Sequence, residues 1–192
     1  MPKFSTDWFT HNQKDFDMCL NQAKPIERYL EIGCFEGRSA CHVIQKHLTS
    51  TGHIVCIDNF YGGQEHDSVD FNQVYKTFLE NIREVLNGSM RTYEVIGTTS
   101  HQALTMLNAR DEEGFDAIYI DGSHTARDVL MDSIMSWPLL KQGGVMIWDD
   151  YLWDDVEGVY NQPKLGIDAF LDVFQDRIEI IHNGYQVGIK KR

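Results

Sequence analysis

The sequence predicts an open α/β sandwich of three layers: a mostly parallel, seven-stranded sheet between helices, closed at its C-terminal end by an antiparallel hairpin. Three observations carry this. Helical patterns alternate with short apolar runs five times along the chain. The runs are continuous rather than alternating, as in strands buried on both faces of a parallel sheet. The last two runs flank Asn183-Gly184, a hairpin turn pair. A chain of 192 residues has the length of one domain, enough to bury a sizeable core.

In chain order, Asn12 to Ala23 reads as a first helix. Asn12 caps it, Asp15 lies in its first turn, and Phe16, Cys19, Leu20 and Ala23 share a face. Pro25 ends it, so residues 1–25 form a helical extension ahead of the sheet. Arg28 to Ile32 is the first strand. The turn Gly33 to Gly37 follows, then a helix from Ser39 with Ala40, Val43, Ile44 and Leu48 on its stripe and Gly52 closing it. His53 to Ile57 is the second strand and ends in Asp58. After a loop over Asn59–Asp67, Phe71, Val74, Tyr75, Phe78, Leu79, Ile82, Val85 and Leu86 recur at threes and fours, and Asn87-Gly88 stops that helix. Arg91 to Ile96 is a strand, Gly97 to Ser100 a turn, and Gln102 to Ala109 a helix. Ala117–Ile120 and Val145–Trp148 are strands separated by a helix over Thr125–Trp137, with Pro138 and Gly143-Gly144 punctuating the return. Residues 151–164, acidic and aromatic at first and without periodicity, read as a loop over the strand ends. Leu165–Phe174 is the last helix, and Ile178–Ile181 with Gln186–Ile189 makes the hairpin.

Composition narrows the partners. Net charge is −12, with no basic run beyond Lys190-Lys191-Arg192, which disfavours nucleic acid and anionic membrane. No stretch approaches a membrane span, and the N-terminus does not read as a signal peptide. Cys19, Cys34, Cys41 and Cys56 form no CxxC pair and sit in or beside apolar segments. They read as reduced, buried thiols of a cytoplasmic protein.

In a parallel open sheet, ligands bind outside the carboxyl ends of the strands, and the chemistry-bearing residues fall there. Glu31-Ile-Gly33-Cys-Phe-Glu36-Gly37 departs from G-x-G-x-x-G, placing Phe35 at the central glycine and Glu36 where phosphates would lie. This disfavours NAD or FAD and suits a nucleoside cofactor whose cationic end welcomes carboxylates. Asp58 stands where an acid can accept ribose hydroxyls, although acids and glycines at strand ends are also generic turn chemistry. Asp121 and Asp149 lie one strand–helix–strand crossover apart, and Asp150 follows. Three carboxylates suit magnesium, which keeps several waters. Asp149 and Asp150 share one ion only if the backbone turns there; otherwise these acids are solvated caps. His124, three residues after Asp121, can reach the same cleft as a general base, although a lone histidine is more often structural. Tyr61, Trp153 and Tyr160 either wall a substrate pocket or anchor loops, and His66 is the other histidine near the cleft.

Tyr29-Leu-Glu-Ile-Gly-Cys-Phe-Glu-Gly-Arg-Ser resembles motif I of class I S-adenosylmethionine-dependent methyltransferases. Cys56-Ile-Asp-Asn-Phe-Tyr-Gly-Gly, the helix bearing Phe78 and Asn81, Ile120-Asp-Gly-Ser-His and Trp148-Asp-Asp-Tyr are similar to its macrocin and catechol O-methyltransferase branch. The likeness runs from Tyr29 to Phe174 in the right order. It implies a Rossmann-like single domain with S-adenosylmethionine held by Glu31, Gly33, Ser39, Asp58, Thr99, Ser100 and Asp121. It further implies a divalent metal, magnesium for preference, on Asp121, Asp149 and Asp150, with His124 as catalytic base.

The expectation is metal-assisted transfer of a methyl group to a hydroxyl of a small-molecule acceptor, in a cytoplasmic enzyme that can form a homodimer. The rivals are a nucleotide-binding oxidoreductase of the same topology and a non-catalytic S-adenosylmethionine-binding relative. Sugar, phenol and other natural-product acceptors all fit.

Overall fold

The computed structural model describes residues 1–23, 25–62, 69–110, 112–153 and 162–192. Its elements run α1 (Gln13–Leu20), β1 (Ile26–Ile32), α2 (Arg38–Lys46), β2 (Leu48–Ile57), α3 (Phe71–Leu86), β3 (Thr92–Ile96), α4 (Ser100–Asn108), β4 (Phe115–Ile120), α5 (Ala126–Ser136), β5 (Leu140–Trp148), α6 (Pro163–Phe174), β6 (Ile178–Asn183) and β7 (Val187–Lys191). One seven-stranded sheet results, in the order β3-β2-β1-β4-β5-β7-β6. The first five strands are parallel, and β7 runs antiparallel to both β5 and β6. The expected fold class is the observed one.

The differences are local. β2 begins at Leu48 and contains Gly52, which the sequence placed in a closing turn, and its register against β1 shifts between Ile26 and Arg28. β5 begins at Leu140 and contains Gly143-Gly144, with a matching shift against β4. In both places a glycine read as a stop lies inside an irregular stretch of strand. α1 is shorter than Asn12–Ala23. Asn12 precedes it without a side-chain capping bond, because its amide is engaged elsewhere, as described below.

Alternation along the strands sorts the core into two layers. Tyr29, Cys56, Tyr119 and Ile147 pack on one face with Phe16 and Leu20 of α1, Val43 and Ile44 of α2, and Phe78 and Ile82 of α3. Leu30, Ile32, Ile118, Met146 and Trp148 pack on the other with Leu104 of α4, Val129 of α5, and Ile167 and Phe170 of α6. This parity fixes the site. Glu31 shares the face of Tyr29; Asp58, Asp121 and Asp149 continue the face of Cys56, Tyr119 and Ile147. Four carboxylates from four adjacent strands therefore leave the sheet on the side of α1, α2 and α3.

All four cysteines are buried free thiols, and burial raises each of their pKa values. Among the described residues, no helix is long and apolar enough to cross a membrane.

Candidate active site

The turn after β1 is held by backbone geometry before any ligand is considered. Gly33 has φ +83°, and a Cβ there would lie 1.8 Å from the Asp121 carbonyl oxygen, so only glycine lets this turn press against the end of β4. Phe35 adopts φ +46°, uncommon for a bulky side chain. The backbone amides of Cys34 and Phe35 donate to Asp58 Oδ2 at 2.8 and 2.9 Å, and the Phe60 amide donates to Oδ1 at 2.7 Å. These turn amides, which a pyrophosphate would need, already serve a carboxylate. That fits a ligand without phosphates. Of its roughly four lone-pair sites, Asp58 retains about one for a further donor.

Glu31 is fully buried. Its Oε1 accepts from the Ser39 hydroxyl at 2.7 Å and its Oε2 from the Tyr29 hydroxyl at 3.1 Å. Burial pushes its carboxyl up to about 7; the two hydroxyls pull against this, while the Asp58 charge adds to it. Ser39 thus sets the rotamer of Glu31. Thr99 caps α4, accepting from the Gln102 amide. The Ser100 hydroxyl bonds Asp132, a buried α5 carboxyl that desolvation raises to about 7. The turn carrying both adjoins Asp58, whose amide donates to Ile96 at the end of β3.

The second half of the site lies where β4 and β5 end. The Asp121 amide donates to Ile32 and the Asp149 amide to Ile120, which keeps these acids in step with the sheet. Asp150 takes φ +56°, the backbone turn required for consecutive aspartates to face one space. The carboxylates then divide. Asp149 turns inward: its Oδ2 accepts from the Tyr119 hydroxyl, and its Oδ1 from the Asn12 amide at 3.2 Å and the Asp150 backbone at 2.9 Å. Burial and the Asp150 charge raise it to about 6. Asp150 faces outward, bonded by Tyr185 at 2.8 Å, with His124 Nε2 at 3.0 Å from its Oδ2. Asp121, His124 and Asp150 each present a ligand atom within 4.8 Å of the others. Burial and the charges of Asp149 and Asp150 hold the Asp121 carboxyl well above the usual range. The His124 ring stacks on Trp153, centroids 4.7 Å apart.

The family model described as a methyltransferase domain matches residues 30–151, well over half of the chain. The chain belongs to the class I S-adenosylmethionine-dependent methyltransferases. Solved structures agree with this methyltransferase fold. An O-methyltransferase from Bacillus cereus in complex with SAH superposes at TM-score 0.70 with 19% identity, over 98% of this chain and 84% of its own. The O-methyltransferase TomG from Streptomyces achromogenes, involved in tomaymycin synthesis and bound to SAM, gives 0.65 and 17%, over 93% and 78%. The N-methyltransferase NodS from Bradyrhizobium japonicum gives 0.57 and 12%, over 94% of each chain. At these identities the likeness speaks to fold alone. No curated protein matches the sequence.

The site residues expected from sequence fall into two groups at one sheet edge. Glu31, Gly33, Ser39 and Asp58 gather at β1 and β2, with Thr99 and Ser100 beside them. Asp121, Asp150 and His124 converge at β4 and β5, whereas the Asp149 carboxylate faces Tyr119 and Asn12 instead of that cluster. Trp153 joins the site through His124; Tyr61 is 84% exposed. Tyr160, His66 and most of the 151–164 loop lie outside the described residues. Sequence reasoning missed Tyr119, Tyr185, Asn12 and Asp132. Tyr119 carried a readable signal, since it lies two residues before Asp121 on the same strand face. The other three arrive by tertiary contact.

Proposed function

We propose that this methyltransferase transfers a methyl group from S-adenosylmethionine to a hydroxyl of a small-molecule acceptor, assisted by a divalent cation. The observation that carries the reading is the pairing, on one sheet edge, of the Glu31–Asp58 pocket with the Asp121–His124–Asp150 cluster. Two tests of fit support it. The turn amides of Cys34 and Phe35 are satisfied by Asp58, so a phosphate-free ligand loses nothing there. The acids carry raised pKa values that a cationic ligand would relieve.

S-adenosylmethionine supplies an electrophilic methyl group on a cationic sulfur. Glu31, oriented by Ser39 and Tyr29, and Asp58, fixed by three amides, bind its polar and charged groups. The Gly33 turn lets that ligand approach the end of β4. Asp121 and Asp150 offer the hard oxygen donors a divalent cation prefers, with Asp149 shaping their charge from behind. Such a cation supplies Lewis acidity toward an acceptor hydroxyl. His124 donates from Nε2 to Asp150 and takes the acceptor's proton at its other ring nitrogen. Trp153 lies along the imidazole and limits its rotation. Holding the acceptor oxygen in line with the methyl carbon accounts for most of the acceleration. We extend the proposal to cytoplasmic action and to a homodimer.

Isothermal titration with SAH should give saturable binding that NADH does not compete away; no binding at about millimolar SAH would sink the cofactor assignment. SAH release, measured across a panel of catechol, sugar and phenol acceptors, should fall on chelation and in Asp150→Asn. Turnover indifferent to chelator would remove the cation from the reading.

A further inference from the structure

A second set of ligating atoms lies between α1 and the end of α2. Asp17 of α1 presents Oδ1 to His42 Nε2 at 2.7 Å and to His47 Nε2 at 2.5 Å. His42 sits within α2 and His47 is its C-terminal cap, so Asp17 ties α1 to that helix through both rings. The three ligand atoms lie within 4.8 Å of one another. The His47 side chain is 1% exposed, and those of His42 and Asp17 are 16% and 15% exposed. The methyl-transfer reading uses none of the three.

We propose that Asp17, His42 and His47 form a zinc site that pins the N-terminal extension to α2. Two imidazoles and one carboxylate are a borderline donor set that suits zinc and not magnesium. Tetrahedral zinc with ligand bonds of about 2.1 Å holds its donors about 3.4 Å apart. The two Nε2–Oδ1 distances therefore need to open by under about 1 Å. Lys46 Nζ bonds the other oxygen, Oδ2, at 2.6 Å, and that side chain is 54% exposed. It can swing into water and leave the fourth position to a solvent ligand. His42 also borders a cavity of about 320 Å³ with Phe9, Gln13 and Cys41, an entry path for an ion.

The alternative is metal-free, with both imidazoles donating N–H bonds to Asp17. Either arrangement fixes α1, and only retention of metal separates them. The fixation reaches the active site. Phe16 of α1 packs edge-on against Tyr119, and Asn12, just ahead of α1, donates to Asp149.

The test uses the full chain stripped of metal and titrated with Zn(II) alone against a chelating dye, with bound zinc counted by elemental analysis. Wild type and Asp150→Asn should each hold the zinc and melt higher with it. Asp17→Asn and His42→Ala should bind it at least about 100-fold more weakly. Zinc that stays with both of those variants and leaves with Asp150→Asn would overturn the assignment, as would a wild type that binds none. If the variants do not fold, Co(II) added to the wild type decides. Intense tetrahedral visible bands support the site, and weak octahedral bands refute it. None of these readouts depends on methyl transfer.

Discussion

Glu31→Gln isolates the electrostatic cost of the buried acid near the end of β1. Burial raises the carboxyl from 4.5 to about 7 against the pull of Ser39 and Tyr29, which corresponds to about 3 kcal/mol. The folded value lies above the unfolded one. The stabilisation from protonated Glu31 is therefore complete below about pH 4.5 and is lost as pH climbs through 7. Glutamine keeps the shape and stays neutral, but it offers one acceptor oxygen in place of two, a pH-independent cost of about 1 kcal/mol. The variant should then be about as stable as wild type at pH 5, where the two effects nearly cancel, and about 2 kcal/mol more stable at pH 8.5. Urea unfolding of both proteins at several pH values and fixed ionic strength measures this. The difference between them is the informative quantity, because Asp132 and Asp149, raised to about 7 and about 6, titrate in the same window in both. A difference that stays flat within about 0.5 kcal/mol from pH 5 to 8.5 would refute the reasoning.

Gly33→Ala combines a left-handed φ with a Cβ driven into the Asp121 carbonyl. It should cost about 2–5 kcal/mol in urea unfolding and weaken SAH binding together with stability; a loss under about 1 kcal/mol would mean the turn can move off β4 freely. Tyr119→Phe removes the hydroxyl that lowers the Asp149 pKa, so that carboxyl should titrate above its present value of about 6. The variant should lose about 1–3 kcal/mol at pH 8 and less at pH 5, where Asp149 is largely protonated; equal losses at the two pH values would contradict this.

What the sequence disclosed about the site follows from strand geometry. Continuous apolar runs ending in acids imply a parallel sheet with its chemistry at one edge, and period-2 alternation implies that Glu31, Asp58, Asp121 and Asp149 share a face. Local sequence does not dictate a left-handed aspartate, so the turn at Asp150 is visible only in the structure. The orientation of Asp149 was illegible, since it depends on Asn12 and Tyr119, and the Asn12 contact joins residues 137 apart in sequence. The same limit hid Asp17, His42 and His47. His42 and His47 read as isolated histidines until α1 lays a carboxylate between them. Gly52 and Gly143-Gly144 misled for another reason, because glycine marks an irregular stretch within a strand as readily as a turn.

The charge pattern of the active site constrains its ligands. Glu31, Asp58, Asp121, Asp149 and Asp150 crowd the edge of the sheet. Among the described residues no lysine or arginine pairs with any of them, and the one basic side chain in reach is the His124 imidazole, on Asp150. The raised pKa values of Glu31, Asp121 and Asp149 follow from that crowding as well as from burial. Buried carboxylates without countercharge are costly, and a fold that places four acids on one face by strand parity favours ligands that bring positive charge. A dinucleotide would bring more negative charge to turn amides already occupied by Asp58. A cationic sulfur with an ammonium group, and a divalent ion, each bring the missing sign to a different part of the edge. On the proposed reading the β1–β2 acids meet the sulfonium cofactor and the β4–β5 acids the divalent ion, with Asp149, held by Tyr119 and Asn12, as the buried acid between them.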